Sequence, residues 1–404
     1  MLVTPEPRMS LTFALYLLGI AASALADALL AIALPFALLG SGGTQAMLAT
    51  VILSGGLLRF FAPVLGALAD RLPSRTVLLF ASLTRALAVA ALGWAALGGQ
   101  ATFALFVVFA LLNSLLVTLT FATGRVVLPR LVSASALPQA NSLVGIAMTG
   151  LPLIGYGLGG LMVKAFGTGQ TLLLAAPLYL LLVVAALGLR LNKPHTIGPA
   201  SFHLGRDLLE GFYVVRASRA LITMLVLAFM LNLALNVSNV RIPIFTLEAG
   251  RGSDDFALLE MLFSAGALSG AALAGILTRW LKLEVQIGIG CVVFTLGVLG
   301  LAVPSLNVWF MAQFMLGLSV GLIDVAATTL TQLKVSDGMQ GRVGGTSMFV
   351  GGLGLSLGAV VGGFTILTTI LMLGLAMGLL VLCFVWLHSG MVDRINRSED
   401  SLNP

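Results

Sequence analysis

Three carboxylates interrupt long apolar runs of this chain, Asp27, Glu260 and Asp324, and three guanidinium groups do the same, Arg59, Arg85 and Arg241. An ionisable group surrounded by lipid-like residues is costly unless it is paired or used. A carboxylate held away from water can take up a proton when its surroundings change: burial favours the neutral form, and a nearby cation favours the charged one. That is the chemistry of proton coupling. Asp27 lies about 25 Å beyond Ser10, and Arg59 about 16 Å before Asp70, along helices that rise about 1.5 Å per residue. The two are therefore expected to meet, and one movement of Arg59 would then switch the protonation of Asp27. The alternative is a permanent ion pair that fixes the first two helices. Asp324 is a second candidate for coupling or for binding a cationic substrate, or else a hydrogen-bonding partner of a neighbouring helix. Glu260 is a further coupling candidate, or a solvated residue nearer the outer face. Arg85 is expected to hold neighbouring helices together. Asn232, Asn236 and Asn239 are spaced four and then three apart, which places them on one helical face. With Arg241 they would line a cavity and attract an anionic group, or bond between helices. Asn113 is a further cavity candidate.

These groups need a scaffold that places them inside a membrane. The chain has 404 residues, of which 59% are hydrophobic and 9% charged, against about 25% charge in a soluble protein. Its mean hydropathy is +1.09. Apolar runs of about eighteen residues or more recur throughout and read as spans. In lipid every backbone polar group must be satisfied internally, and runs of this length without alternation favour helices over a barrel. The expected class is an all-α polytopic membrane protein of about twelve spans. They fall at about 10–38, 43–67, 76–97, 101–122, 137–163 and 169–191, and again at about 219–247, 254–279, 284–303, 306–332, 342–365 and 367–388. This divides the chain into a six-helix bundle over 1–191, a polar linker over 192–218, and a second bundle with a short tail over 219–404. Within the linker Leu208, Leu209, Phe212 and Val215 recur at helical spacing, which predicts an amphipathic helix on the membrane surface. The N-terminal run after Arg8 resembles a signal peptide. It continues apolar to Gly40, however, and reads as one uncleaved helix.

Most of the 21 basic residues fall on alternate loops with the linker and both termini, whereas Lys164 and Arg251 fall on the other side. By the positive-inside rule both termini and the linker are cytoplasmic. The net charge of +6 is spread over short loops and forms no patch for nucleic acid. Cys291 and Cys383 sit inside apolar runs as packing residues, and His195, His203 and His388 do not cluster. No metal site or cofactor is implied, only a proton gradient. The chain lacks a His-Glu zinc motif, a Ser-His-Asp set and a Gly-rich phosphate loop, so a membrane enzyme or an ATP-driven pump is disfavoured.

The two halves repeat. At one constant offset Val132 and Ser133 meet Val335 and Ser336, and Gly155, Gly159 and Gly160 meet Gly358, Gly362 and Gly363. Duplicated halves suggest a binding cavity and alternating access. GALADRLPSR, from Gly66 to Arg75, resembles the signature between the second and third helices of the major facilitator superfamily. ADALLAIALPFALLGSGGT, GRVVLPRLVSASALPQANSL and QLKVSDGMQGRV resemble its bacterial efflux branch, which contains macrolide-efflux-like proteins and the enterobactin exporter. The usual glycine of the signature is Pro73 here, and Tyr156 follows Gly155 where the antiporter-type signature has proline.

The resemblance implies a cytoplasmic gate. Gly66 would allow close helix contact, and Asp70 would latch onto the free N–H groups at the start of helix 11, from Gly341 to Gly345, with Arg125 as a second partner. Arg71, Arg75 and Arg342 complete the gate. The implied function is a monomeric secondary transporter and not an enzyme, a proton-coupled antiporter that exports a small amphipathic, drug-like molecule. The alternative is an exporter of one metabolite such as a siderophore, with Arg241 and Arg59 binding its anionic groups. The glycines of helix 11 would serve static packing or a sliding surface.

Overall fold

The computed structural model describes residues 11–58, 65, 72–133, 135–189, 212–216, 218–335, 337–364 and 378. Within them the chain is helical and no strand occurs. The helices are α1 (Leu11–Gly40), α2 (Gln45–Leu57), α3 (Ser74–Leu97), α4 (Phe103–Leu131), α5 (Leu137–Phe166) and α6 (Thr168–Gly188). They continue with α7 (Arg219–Glu248), α8 (Ser253–Leu277), α9 (Leu283–Leu301), α10 (Leu306–Lys334) and α11 (Asp337–Gly362). Ten of the described helices are long and apolar enough to cross a membrane, the fold expected from the apolar runs. The expected twelfth helix lies outside the described residues, as does most of the linker; residues 212–216 of the linker are helical.

Local sequence accounts for several helix ends. The Thr44 and Thr102 hydroxyls accept hydrogen bonds from the Met47 and Leu105 N–H groups, capping α2 and α4. Gly167 closes α5 and opens α6 as a single residue at φ 86°, a conformation that favours glycine. Inside the helices many hydroxyls bond back to the carbonyl four residues earlier, among them Thr120 to Leu116, Thr123 to Leu119 and Thr246 to Ile242. This hides their polarity from the apolar surroundings. Two boundaries differ from expectation. α4 runs past 122 to Leu131, because the apolar pattern continues through Val126, Val127 and Leu128; Arg125 and Arg130 are therefore helical. α11 begins at Asp337, so Gly341 to Gly345 lie inside the helix. Their N–H groups are then used within it, and the donors that a helix start leaves over precede Gly341.

The chain divides into two compact units, Met1–Leu204 with Ile242–Leu258, and Gly205–Arg241 with Leu259–Pro404. In the first, α6 packs on both α1 and α3. Phe13, Tyr16, Leu78, Val127 and Leu182 form its core. At the crossing of α3 and α6, a Cβ on Gly93 would stand 2.9 Å from the Gly169 carbonyl oxygen, so the backbones touch. α5 meets α1 through Gly155 against Ala28 and Gly159 against Ile32.

In the second unit α9 packs on α10 around Ile287, Phe294, Leu316 and Ile323. Cys291 belongs to this core as a buried thiol. α8 and α10 interlock through paired glycines. Gly266 and Gly270 face the Phe314 and Leu318 carbonyls, while Gly317 and Gly321 face those of Phe263 and Ala267. In α11, Gly354 and Gly358 lie against the carbonyls of Phe229 and Leu233 in α7, and Gly362 against Val240. Spacing of this kind lets helices approach until backbones meet.

Candidate functional site

Asp27 projects from the middle of α1, and its cation comes from α3. Arg85, 3% exposed, pairs through Nη2 with Asp27 Oδ1. The same nitrogen donates to the Tyr179 hydroxyl of α6 at 3.2 Å, and Nε donates to Asn113 Oδ1 of α4 at 3.0 Å. The guanidinium carbon lies 4.2 Å from the Tyr179 ring centroid, a cation–π contact. Tyr179 in turn donates its O–H to Asp27 Oδ1 at 2.7 Å. Four helices thus converge on one charge pair, as a buried arginine requires if its charge is to be kept.

Every one of these contacts to Asp27 falls on Oδ1. Among the described residues Oδ2 has no partner, and the Asp27 side chain is 40% exposed. It faces a cavity of ≈ 470 Å³ walled by α1, α3, α4 and α5. Tyr16, Phe121 and Tyr156 give the cavity aromatic walls, Val117, Leu128, Val144 and Met148 apolar ones, and Ser23, Thr120 and Asn141 scattered polar atoms. Tyr16 OH sits 2.9 Å from where a Cβ on Gly124 would be, so the glycine keeps this wall open. Arg125 also borders the cavity, its guanidinium carbon 4.9 Å from the Phe121 ring centroid.

The expected meeting of Asp27 with Arg59 falls on a residue outside those described; the partner seen among the described residues is Arg85. Arg59 lies outside the described residues, as do Gly66, Asp70 and Arg71 of the gate. Arg75 is exposed at the start of α3, and Gly341 and Arg342 fall inside α11, away from its unsatisfied donors. Asn113 supports Arg85 and is not part of the cavity wall. On α7, Asn232 donates to the Ala228 carbonyl, and Asn236, buried, donates to the Leu355 carbonyl of α11 at 2.5 Å and accepts from Asn239. These asparagines tie α7 to itself and to α11, the interhelical alternative. Arg241 is half-buried at the next turn. Asp324 is exposed in α10 and Glu260 half-buried in α8. Neither carboxylate has an ion pair among the described residues.

Sequence reasoning did not find the contacts of Lys164. Its ammonium bonds Asp254 Oδ2 at 2.5 Å. One turn away Ser253 donates to the Gly160 carbonyl, and a Cβ on Gly160 would collide with Ala257. Arg251 pairs with Asp255 at 3.8 Å. The signal was the acidic pair Asp254-Asp255 facing the two bases on that side. Among the described residues no cluster of His, Cys, Asp or Glu could hold a metal ion.

The chain matches the Major Facilitator Superfamily over residues 16–359. It belongs to that superfamily. A stretch of 275 residues is 30% identical to an uncharacterized MFS-type transporter, y4rN, of Sinorhizobium fredii (strain NBRC 101917 / NGR234), covering 64% of each chain. The match thus spans less than two thirds of that relative's length. The fold is similar to the crystal structure of the nucleoside transporter NupG, with TM-score 0.73, 16% identity, and 94% and 99% of the two chains covered. It is equally similar to a bacterial homologue of the iron transporter ferroportin in the inward-facing state, at TM-score 0.73, 17% identity, and 93% and 99% coverage. Likeness at such identity concerns the fold alone. The chain is thus a multi-pass membrane protein of that superfamily, and the Asp27 cavity lies within its first unit.

Proposed function

We propose that this transporter couples a proton gradient to the export of a small amphipathic molecule by alternating access, with Asp27 as the proton-carrying group. The supporting observation is the division of labour on that carboxylate. Arg85 and Tyr179 hold Oδ1 from behind, and Oδ2 opens onto an apolar cavity. A carboxylate so placed can be reached by a proton and by a substrate, one at a time, which is the requirement of exchange. Export follows from the sequence resemblance to the efflux branch. Location in the cytoplasmic membrane with both termini inside follows from the placement of basic residues. A monomer is the proposed state, since the cavity residues described lie on one chain. Asp324 and Glu260 are secondary coupling candidates. The gate residues Asp70 and Arg125 retain the latch role that the resemblance implies.

The test is flux in proteoliposomes under an imposed pH gradient, screened over amphipathic compounds. The wild type is expected to show gradient-dependent flux of at least one compound. Asp27→Asn should keep exchange without a gradient and lose accumulation against one. Proton-driven accumulation by Asp27→Asn equal to the wild type would remove Asp27 from coupling.

A further inference from the structure

The charge of the amphipathic substrate follows from what surrounds Asp27. A carboxylate in an apolar pocket invites a lipophilic cation, but Asp27 is already compensated. The groups facing it are Arg85 from α3, Tyr179 from α6, Asn113 behind Arg85 from α4 and, on the α5 wall of the same cavity, Tyr156. The pair is neutral as a unit. Among the described residues the other charged group on the wall is Arg125, twelve residues beyond the level of Asn113 on α4 and therefore about 18 Å away along the helix. A cation at Asp27 would meet a guanidinium on the far side of the same carboxylate and a second one along the slot. An anion would meet the open Oδ2, and it would leave water for apolar walls without a free counter-charge beside it.

Ser23 supplies the positive evidence. It lies one turn before Asp27 on the same face of α1 and borders the same cavity. It is 6% exposed, and its Oγ is buried without a hydrogen-bond partner among the described residues. Ser54, Thr120, Thr123 and Ser238 quench their hydroxyls on the carbonyl four residues back; Ser23 does not. A buried, unquenched hydroxyl destabilises the empty protein. A rotation about its Cα–Cβ bond toward the cavity it borders would add, one helical turn from the Asp27 carboxylate, a group able to donate or accept.

We propose that Ser23 and Asp27 Oδ2 together bind the hydroxyl of an uncharged amphiphile, whose apolar body lies between Tyr16, Phe121 and Tyr156. The substrate hydroxyl donates to Oδ2 and accepts from Ser23 Oγ. This rests on the transport reading above and adds the substrate class to it.

Three ligands that share one ring system separate the possibilities: 2-(1-naphthyl)ethanol, 2-(1-naphthyl)ethylamine and 1-naphthylacetate. Binding to the purified full chain is measured by calorimetry at about pH 8, where the free amine and the free acid are both charged. The alcohol is expected to bind about tenfold more tightly than either charged analogue. Ser23→Ala should weaken the alcohol about fivefold, the loss of one hydrogen bond, and leave the two charged ligands unchanged. The same variant, free of ligand, should unfold at a higher temperature than the wild type, because an unpaired buried oxygen is gone. Tightest binding of the amine or of the acid overturns the proposal. So does equal binding of all three, absence of alcohol binding, or a Ser23→Ala variant that binds the alcohol as the wild type does. These outcomes are independent of the flux assay. Proton-driven flux with a preference for the amine would leave coupling intact and remove the hydroxyl site. Proton-driven accumulation unchanged by Asp27→Asn would remove Asp27's proton role and leave the binding preference to stand or fall by calorimetry.

Discussion

Arg85 and Asp27 depend on each other, because the guanidinium is buried and its counter-charge sits at the edge of a cavity. Arg85→Gln alone leaves a carboxylate facing a network built for a cation, at a cost of about 3 kcal/mol. Asp27→Asn combined with Arg85→Gln should recover most of that loss. Thermal unfolding of the two single variants and the double variant in detergent gives the coupling by a double-mutant cycle. Asp27 was legible in the sequence because a carboxylate in an apolar run has few innocent explanations. Its partner was not. Depth along a helix can be read from residue counts, and both Arg59 and Arg85 lie at a plausible depth. Which helix stands next to α1 is a matter of tertiary packing, and glycines such as Gly19, Gly93 and Gly169 decide it by letting α6 close on both α1 and α3. Tyr179 carried no signal at all: one aromatic in an apolar helix reads as core until its hydroxyl is seen on Asp27. The asparagines of α7 left two readings open from sequence, cavity lining or bonds between helices, and Asn236 bonds α11.

At the scale of helices, apolar runs marked the spans, and glycine patterns marked where they touch. The glycine repeat read from the sequence has a physical content: Gly155 and Gly159 bring α5 onto α1, as Gly358 and Gly362 bring α11 onto α7. The boundaries that were misjudged share a cause. Arg125 and Arg130 in α4, and the polar start of α11, look like loop by composition, yet the backbone stays helical, in α4 even through Pro129 to Leu131. That matters for the latch: Gly341 to Gly345 lie past the first turn of α11, so a carboxylate at its head would have to meet donors that precede them. The α8–α10 contact yields the clearest packing prediction. Gly270→Leu would drive a side chain into the Leu318 carbonyl, and Gly317→Leu would do the same to Phe263. Either should lower stability by at least about 2 kcal/mol, since overpacking against backbone has little room to relax. The equivalent change at Gly275, where nothing lies within 4 Å of an added Cβ, should be close to neutral. Thermal midpoints and the monodisperse fraction on size exclusion report both.

For the molecule as a whole, orientation rests on charge placement and is directly checkable. α4 has 29 residues and separates the exposed Gln100 from the exposed Ser135 by about 43 Å at 1.5 Å per residue. In intact cells a cysteine at Gln100, on a background without Cys291 and Cys383, should react with a membrane-impermeant maleimide. A cysteine at Ser135 should react only after permeabilisation. The reverse pattern would invert the topology and place the linker outside.

Gly167 has a mechanical consequence. A single residue joins the helix that carries Pro152 and Tyr156 of the cavity wall to the helix that carries Tyr179. With no loop to absorb slack, α5 and α6 behave as a stiff two-armed hairpin. A ligand that pushes the Tyr156 arm outward therefore pulls on the arm whose hydroxyl steadies Asp27. Lengthening this joint by a few flexible residues would leave both arms in place and cut the leverage between them.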